Sequence, residues 1–154
     1  MTRTQHLPDA LLRLLDGTGL ARKIGTTLQL VVSDDREWPR IASLSVGELL
    51  ASGPGELLLT IYSHSRTTAA LAERGRGLLV VVDDGAIVKV ELVASALDTT
   101  DGRTMFRCAV VGVERDEVPY ARVKHGIEFE LVDGTAATAR WEQQLANLAE
   151  RATS

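Results

Sequence analysis

The chain has 154 residues, 45% of them hydrophobic and 25% charged, with a formal net charge of −4. That length suits one domain with its own core, and the balance is that of a soluble globular protein rather than a disordered or fibrous one. An acidic balance with dispersed arginines argues against a dedicated nucleic-acid or anionic-membrane surface.

The N-terminal segment Met1-Thr2-Arg3-Thr4-Gln5-His6-Leu7-Pro8 lacks the apolar core of a secretion signal. Leu7, Leu11, Leu14 and Leu15 then fall at helical spacing, with Pro8 near the start and Gly17 past the end. A short amphipathic helix is expected over residues 7–16. Gly17-Thr18-Gly19 begins like a dinucleotide fingerprint but follows a helix and lacks the third glycine. Residues 26–33 read as a strand, Asp34-Asp35 as a turn, and residues 38–44 as a second strand of the same hairpin. Residues 46–51 read as a short helical turn closed by Ser52-Gly53-Pro54-Gly55.

Residues 57–62 read as a third strand and residues 66–74 as a short helix stopped by Gly75. The continuous apolar run 78–82 suits a strand buried on both faces, ending at Asp83-Asp84-Gly85. Two alternating strands follow. Val88, Val90, Leu92 and Ala94 share one face of the first; Thr104, Phe106, Cys108 and Val110 share one face of the second. Thr99-Thr100-Asp101-Gly102 is the turn between them, and Gly112 marks a bulge or a close backbone approach. Residues 120–132 fit a helix or a strand. A last helix over about 135–152 carries Trp141, Leu145, Leu148 and Ala152 on one face.

About six strands, two of them long, with one short crossover helix, point to an antiparallel barrel in a single domain. No apolar run is long enough to span a membrane. Cys108 is the only cysteine, set among Phe106, Ala109 and Val110, so a buried inert thiol is expected and no internal disulfide can form. A cytoplasmic protein is the resulting expectation.

The segment Ser63-His64-Ser65-Arg66-Thr67-Thr68 bears most on function. It is a hydroxyl-rich turn leading into a helix whose first turn carries Arg66 and no acid. Helix N-termini present unpaired N–H groups and partial positive charge, so a cation there calls for an anion. Two readings stand: a cradle for a phosphate group, or an ordinary Ser65 N-cap with Arg66 in solvent. Other familiar chemistry is missing. There is no P-loop and no nucleophile elbow, and His6, His64 and His125 lack zinc spacing. Asp34-Asp35 and Asp83-Asp84 read as solvated turn carboxylates. The chain is therefore a binding protein, or a cofactor carries the chemistry.

Two segments resemble the pyridoxamine 5′-phosphate oxidase-like split β-barrel family, which binds FMN. They are Pro39-Arg40-Ile41-Ala42-Ser43-Leu44-Ser45 and the stretch from Leu59-Thr60-Ile61-Tyr62 through Ser63-His64-Ser65-Arg66-Thr67-Thr68-Ala69. The order of strands after them also matches, over residues 20–115. The resemblance implies a mainly β, antiparallel split barrel over about 26–118 in a homodimer. It implies an FMN-dependent oxidoreductase of unknown substrate. Carried over, Arg40, Ser65, Arg66 and Thr67 become phosphate-side residues. Ser43, Ser45, Thr60 and Ile61 would lie near the phosphate, ribityl chain or ring. Trp38, Tyr62 and Trp141 are candidates for a ring pocket or for core. Ser45 and Thr67 stand where the family often has lysine, and no basic substrate-binding tail follows Ala136, which argues against pyridoxamine phosphate oxidation itself. Family members of this kind include flavin and deazaflavin reductases and haem binders. The alternative is thus a non-enzymatic dimer with an empty or haem-bearing cleft, His64 or His125 serving iron.

Overall fold

The computed structural model describes residues 3–152; Met1, Thr2, Thr153 and Ser154, which belong to the terminal segments read above, lie outside it. Eight strands and three α-helices follow in the order β1 (Arg3–Thr4), α1 (Asp9–Leu14), β2 (Leu28–Ser33), β3 (Pro39–Leu44), β4 (Leu49–Gly53), β5 (Glu56–Tyr62), α2 (Arg66–Arg74), β6 (Arg76–Asp83), β7 (Ala86–Thr100), β8 (Arg103–Asp116) and α3 (Gly134–Ala152). One antiparallel sheet carries them in the order β3-β2-β6-β7-β8-β5-β4, with β1 added to β8. The chain is mainly β, and its one crossover helix is α2.

Alternation builds the barrel. Val88, Val90, Leu92 and Ala94 all turn inward, as do Phe106, Cys108 and Val110. They meet Leu28, Leu30, Leu57, Leu59 and Leu79 in the main core. Asp84-Gly85 and Asp101-Gly102 both adopt positive φ, 43° and 80° in the first and 55° and 74° in the second. Each is a two-residue loop whose twist matches the strands it joins. Gly112 sits where β8 bulges: Glu91 faces Gly112 and Leu92 faces Val110, leaving Val111 as the extra residue.

Several expectations are corrected. Residues 49–53 form β4 rather than part of a helical turn, paired to β5 through the tight turn Pro54-Gly55. With β4 and the two-residue β1 added, the described residues hold eight strands where about six were expected. β6 is not buried on both faces, since Leu79 and Val81 are buried while Leu78, Val80 and Val82 are half-exposed. The doubly buried strand is β5, where Leu57 and Leu59 enter the main core. Leu58 joins Met105, Leu145 and Leu148 in a smaller cluster beneath α3. Residues 120–132 form neither helix nor strand. They strap the barrel through an isolated bridge from Glu128 to Thr26 and a Phe129 N–H bond to the Gly25 carbonyl of 3.2 Å. The N-terminal helix is six residues long. No helix of the described residues is long and apolar enough to cross a membrane.

Candidate functional site

The hydroxyl-rich turn is an N-cap with open donors behind it. Ser65 is extended, at φ −83° and ψ 153°, and its Oγ accepts the Thr68 N–H at 3.1 Å. The Thr68 hydroxyl donates to the Tyr62 carbonyl. Its single proton is thereby used, so Ser65 Oγ donates to Thr68 Oγ1 across 2.8 Å. The Ser65 hydroxyl is fully engaged in capping. Behind it, the N–H groups of Arg66 and Thr67 open the helix without an intrahelical acceptor. The Thr67 side chain is buried, at 8% exposure, and its hydroxyl makes no hydrogen bond among the described residues. Arg66 is exposed and has no ion pair there.

A cleft of about 370 Å³ opens beside this helix end. The end of β3 (Ile41 to Leu44) forms one wall, Ile61 and Tyr62 of β5 a second, and Arg140, Trp141 and Gln144 of α3 a third; Ser65 and Thr67 face it from α2. At its floor, Arg103 donates to Glu48 Oε2 at 2.6 Å and to the Thr60 carbonyl at 2.9 Å. Its Nε reaches Thr60 Oγ1 at 3.3 Å. The guanidinium lies 4.4 Å from the Tyr62 ring centroid, a cation–π contact. The other oxygen of Glu48 accepts the Ser45 N–H at 3.0 Å and the Ser45 hydroxyl at 3.2 Å. Arg103 and Glu48 neutralise one another. Arg140 is left as an exposed cation with no ion pair among the described residues, so the cleft carries an excess of one positive charge.

The predicted residues thus divide. Ser43, Ile61, Ser65 and Thr67 line one cleft. Ser45 is used in the turn before β4, and Thr60 is held by Arg103. Arg40 and Arg66 line a separate hollow of about 460 Å³ on the other side of α2. That hollow also holds Asp34, Asp35, Arg36 and Glu73, three cations against three carboxylates. Arg40 Nε is bonded to Asp34 Oδ2 at 2.9 Å.

Asp34 departs from the expected solvated turn acid, being 5% exposed. Its Oδ1 accepts the N–H groups of Arg36 and Trp38, each at 2.9 Å. The Trp38 N–H bond, above all, holds its carboxyl below the usual range, with Arg40 adding to the effect. Of the three aromatic candidates, Tyr62 and Trp141 line the cleft, while Trp38 is 63% exposed at the hairpin.

A roomier cavity than the cleft lies elsewhere. It has about 740 Å³ and is formed by the strap over residues 122–128 against Ile24–Thr27 and the β6–β7 turn. His125 lines it and pairs with Glu128 Oε1 at 3.0 Å. Asp84 and Glu128 balance Arg122 and Lys124 in number, so the cavity has no excess charge and size alone does not make it a site. His64 is exposed at the β5–α2 turn. No group of three metal-ligating side chains is assembled among the described residues. Burial pushes the Cys108 thiol up to about 12, with the Glu56 charge adding a smaller effect, so it stays protonated and unreactive.

Glu48, Arg103, Arg140 and Gln144 were not singled out by sequence. Arg103 follows the Asp101-Gly102 turn, a place that marks a strand start and says nothing of a partner.

No family model matches the chain. The uncharacterized protein YclD of Bacillus subtilis (strain 168) is 27% identical over 152 residues, spanning 96% of this chain and 99% of YclD. Solved structures are more informative about fold. A candidate pyridoxamine 5′-phosphate oxidase from Lactobacillus delbrueckii superposes with a TM-score of 0.57 at 15% identity, over 74% of this chain and 99% of its own. The chain has the split-barrel fold of the pyridoxamine 5′-phosphate oxidase-like proteins. An FMN-binding protein from Syntrophomonas wolfei shares it with a TM-score of 0.51 at 17% identity, over 71% of this chain and 91% of its own. So does the haem-storage protein HutZ of Vibrio cholerae, with a TM-score of 0.52 at 12% identity over 72% and 95%. Within that fold, this split barrel is divergent. It has a short helix, α2, after β5.

Proposed function

We propose that the cleft between β3, β5, α2 and α3 binds FMN and that the protein is an FMN-dependent oxidoreductase. One observation carries this reading: Thr67, with an unpartnered hydroxyl in the first turn of α2, lines a cleft with an excess positive charge. That is a donor set for a phosphate group. The residues present therefore fit the group, although no lysine assists them. A bound flavin supplies electron-transfer chemistry that the side chains lack. Thr67 and the N–H groups of Arg66 and Thr67 would hold its phosphate. Arg66 would swing to the same end, and Arg140 would add charge from α3. Ile41, Ser43, Ile61 and Tyr62 would bear on the ribityl chain and ring. Arg40, Ser45 and Thr60 act only through the turn, the hairpin and the Arg103 network that shape these walls.

A homodimer belongs to the same proposal. The outer face of β2, β6, β7 and β8 carries Val31, Leu78, Val93 and Val111, of which Val93 is 44% and Val111 38% exposed. A second copy covering that face would remove this apolar surface from water. A haem reading finds less support, because His64 and His125 line no common cavity among those described above.

The test is a calorimetric titration of the purified chain with FMN and riboflavin at low salt. FMN is expected to bind more tightly, because riboflavin lacks the phosphate. Equal affinities would remove the phosphate argument. No binding of either flavin at millimolar concentration would refute the flavoenzyme reading.

A further inference from the structure

The cleft does not end at α3. Tyr62, Arg103, Arg140 and Gln144 also line a second hollow of about 220 Å³ on their far side. The two spaces share these four residues and form one groove, with the Arg103–Tyr62 stack as the sill between them. The second hollow is floored by buried Met105 and Thr60 and closed by the β7–β8 turn. At ~30 Å³ per water it has room for about seven waters, and thus for a small molecule.

Its charges are the informative part. Arg103 is neutralised by Glu48 at 2.6 Å. Arg140 and Asp101 both line the hollow, both are exposed, and neither has an ion pair among the described residues. They are opposite charges facing one small space, too far apart to bridge each other directly. Their amide neighbours are polarised the same way. Gln143 donates to Asn147 Oδ1 at 3.2 Å, which leaves the Asn147 N–H groups free to donate beside Arg140. Gln144 donates to the Gly47 carbonyl at 2.8 Å, which leaves its own carbonyl oxygen free to accept.

We infer that this hollow is a second ligand site and that it takes a small zwitterion, an amino acid bearing a carboxylate and an ammonium group. Arg140 and the Asn147 amide receive the carboxylate. Asp101 and the Gln144 carbonyl receive the ammonium. Met105 and the Tyr62 ring receive an aliphatic side chain. A plain carboxylate leaves Asp101 unanswered, a plain amine leaves Arg140 unanswered, and a dianion is repelled by Asp101. The groups involved all belong to the unliganded chain, so the site can be tested without flavin, although Arg140 and Tyr62 also line the flavin cleft.

The experiment is a ligand-observed NMR titration of the full chain, without flavin, using L-leucine, 4-methylpentanoate and 3-methylbutylamine as probes. L-Leucine is expected to bind in the millimolar range, and each truncated probe about two- to fivefold more weakly, as for exposed ion pairs. Arg140→Gln and Asp101→Asn should each lower L-leucine affinity by a similar factor with unchanged thermal stability. Asp101→Asn should leave FMN affinity unaltered, because Asp101 lines only the second hollow. Equal binding of L-leucine and 4-methylpentanoate, unchanged L-leucine affinity in both variants, or no L-leucine binding would each overturn the assignment.

Discussion

The indole of Trp141 occupies the space that a side chain on Gly47 would need. A Cβ built on Gly47 would lie 2.0 Å from Trp141 Cγ. The turn between β3 and β4 therefore docks α3 by presenting bare backbone to an aromatic ring, and Gln144 adds a hydrogen bond to the Gly47 carbonyl one turn later. Gly47→Ala should force α3 outward and cost about 2–3 kcal/mol of stability, in the range for overpacking. Urea unfolding followed by tryptophan fluorescence measures this. An unchanged midpoint would mean that α3 docks by other contacts.

Arg66 offers a sharper test of the phosphate end. Charge-assisted hydrogen bonds contribute about 1.5–3 kcal/mol. Arg66→Ala should therefore weaken FMN binding about ten- to hundredfold, while stability shifts by less than ~0.5 kcal/mol, as for an exposed side chain. Unchanged FMN affinity would leave Arg66 a solvent-facing residue of the neighbouring hollow.

The Arg103–Glu48 pair is mostly shielded, with side chains 11% and 17% exposed. Removing one partner strands the other charge. Arg103→Met and Glu48→Gln should each destabilise by about 2–3 kcal/mol, somewhat below the cost for a fully buried pair. The double variant should recover at least ~1 kcal/mol of the summed loss. Strict additivity in denaturant unfolding would show that the two side chains act separately.

Acid should act on the β2–β3 hairpin through Asp34. Its carboxyl is held below the usual value by the Trp38 N–H bond and then by Arg40 and Arg36. A depressed folded-state pKa contributes stability that is present above the unfolded value, about 3.9. That contribution falls away as pH drops through the lowered folded value. The stability gap between the wild type and Asp34→Asn should be constant near neutrality and shrink below about pH 4. A gap independent of pH in unfolding curves would contradict this role.

Glu37 sits at φ 63° in the same hairpin, a left-handed conformation that favours glycine. Glu37→Gly should relieve that strain and stabilise by about 0.5–1 kcal/mol after the extra chain entropy of glycine is subtracted. A lower melting temperature would show that the Glu37 side chain contributes more than the conformation costs.

The barrel was legible wherever one face is buried, because alternation in residues 87–94 and 104–110 reports the face directly. The capped start of α2 was equally plain, since Ser65, Thr68 and Gly75 are local signals. β4 was hidden because Leu49-Leu50-Ala51 does not alternate, and its closing Gly53-Pro54-Gly55 looked like the end of a helical turn. The burial of β5 on both faces was hidden for a different reason. It depends on α3 folding back from about 85 residues away along the chain. The cleft's polar floor was beyond reach for the same cause, since Glu48 and Arg103 are 55 residues apart and neither has a local motif. Asp34 was misread because an acid in a turn gives no sign that its carboxylate faces inward to three hydrogen bonds.

The two ends of the sheet bear on how copies of this chain can meet. β3 is one edge, and it begins with Pro39, which has no N–H to offer a neighbouring strand. β4 is the other, only five residues long and irregular between Ala51 and Gly53. Both margins are poor templates for strand-to-strand extension into fibres. In the proposed homodimer, copies would meet through sheet faces instead of these margins, a geometry that stops at two copies.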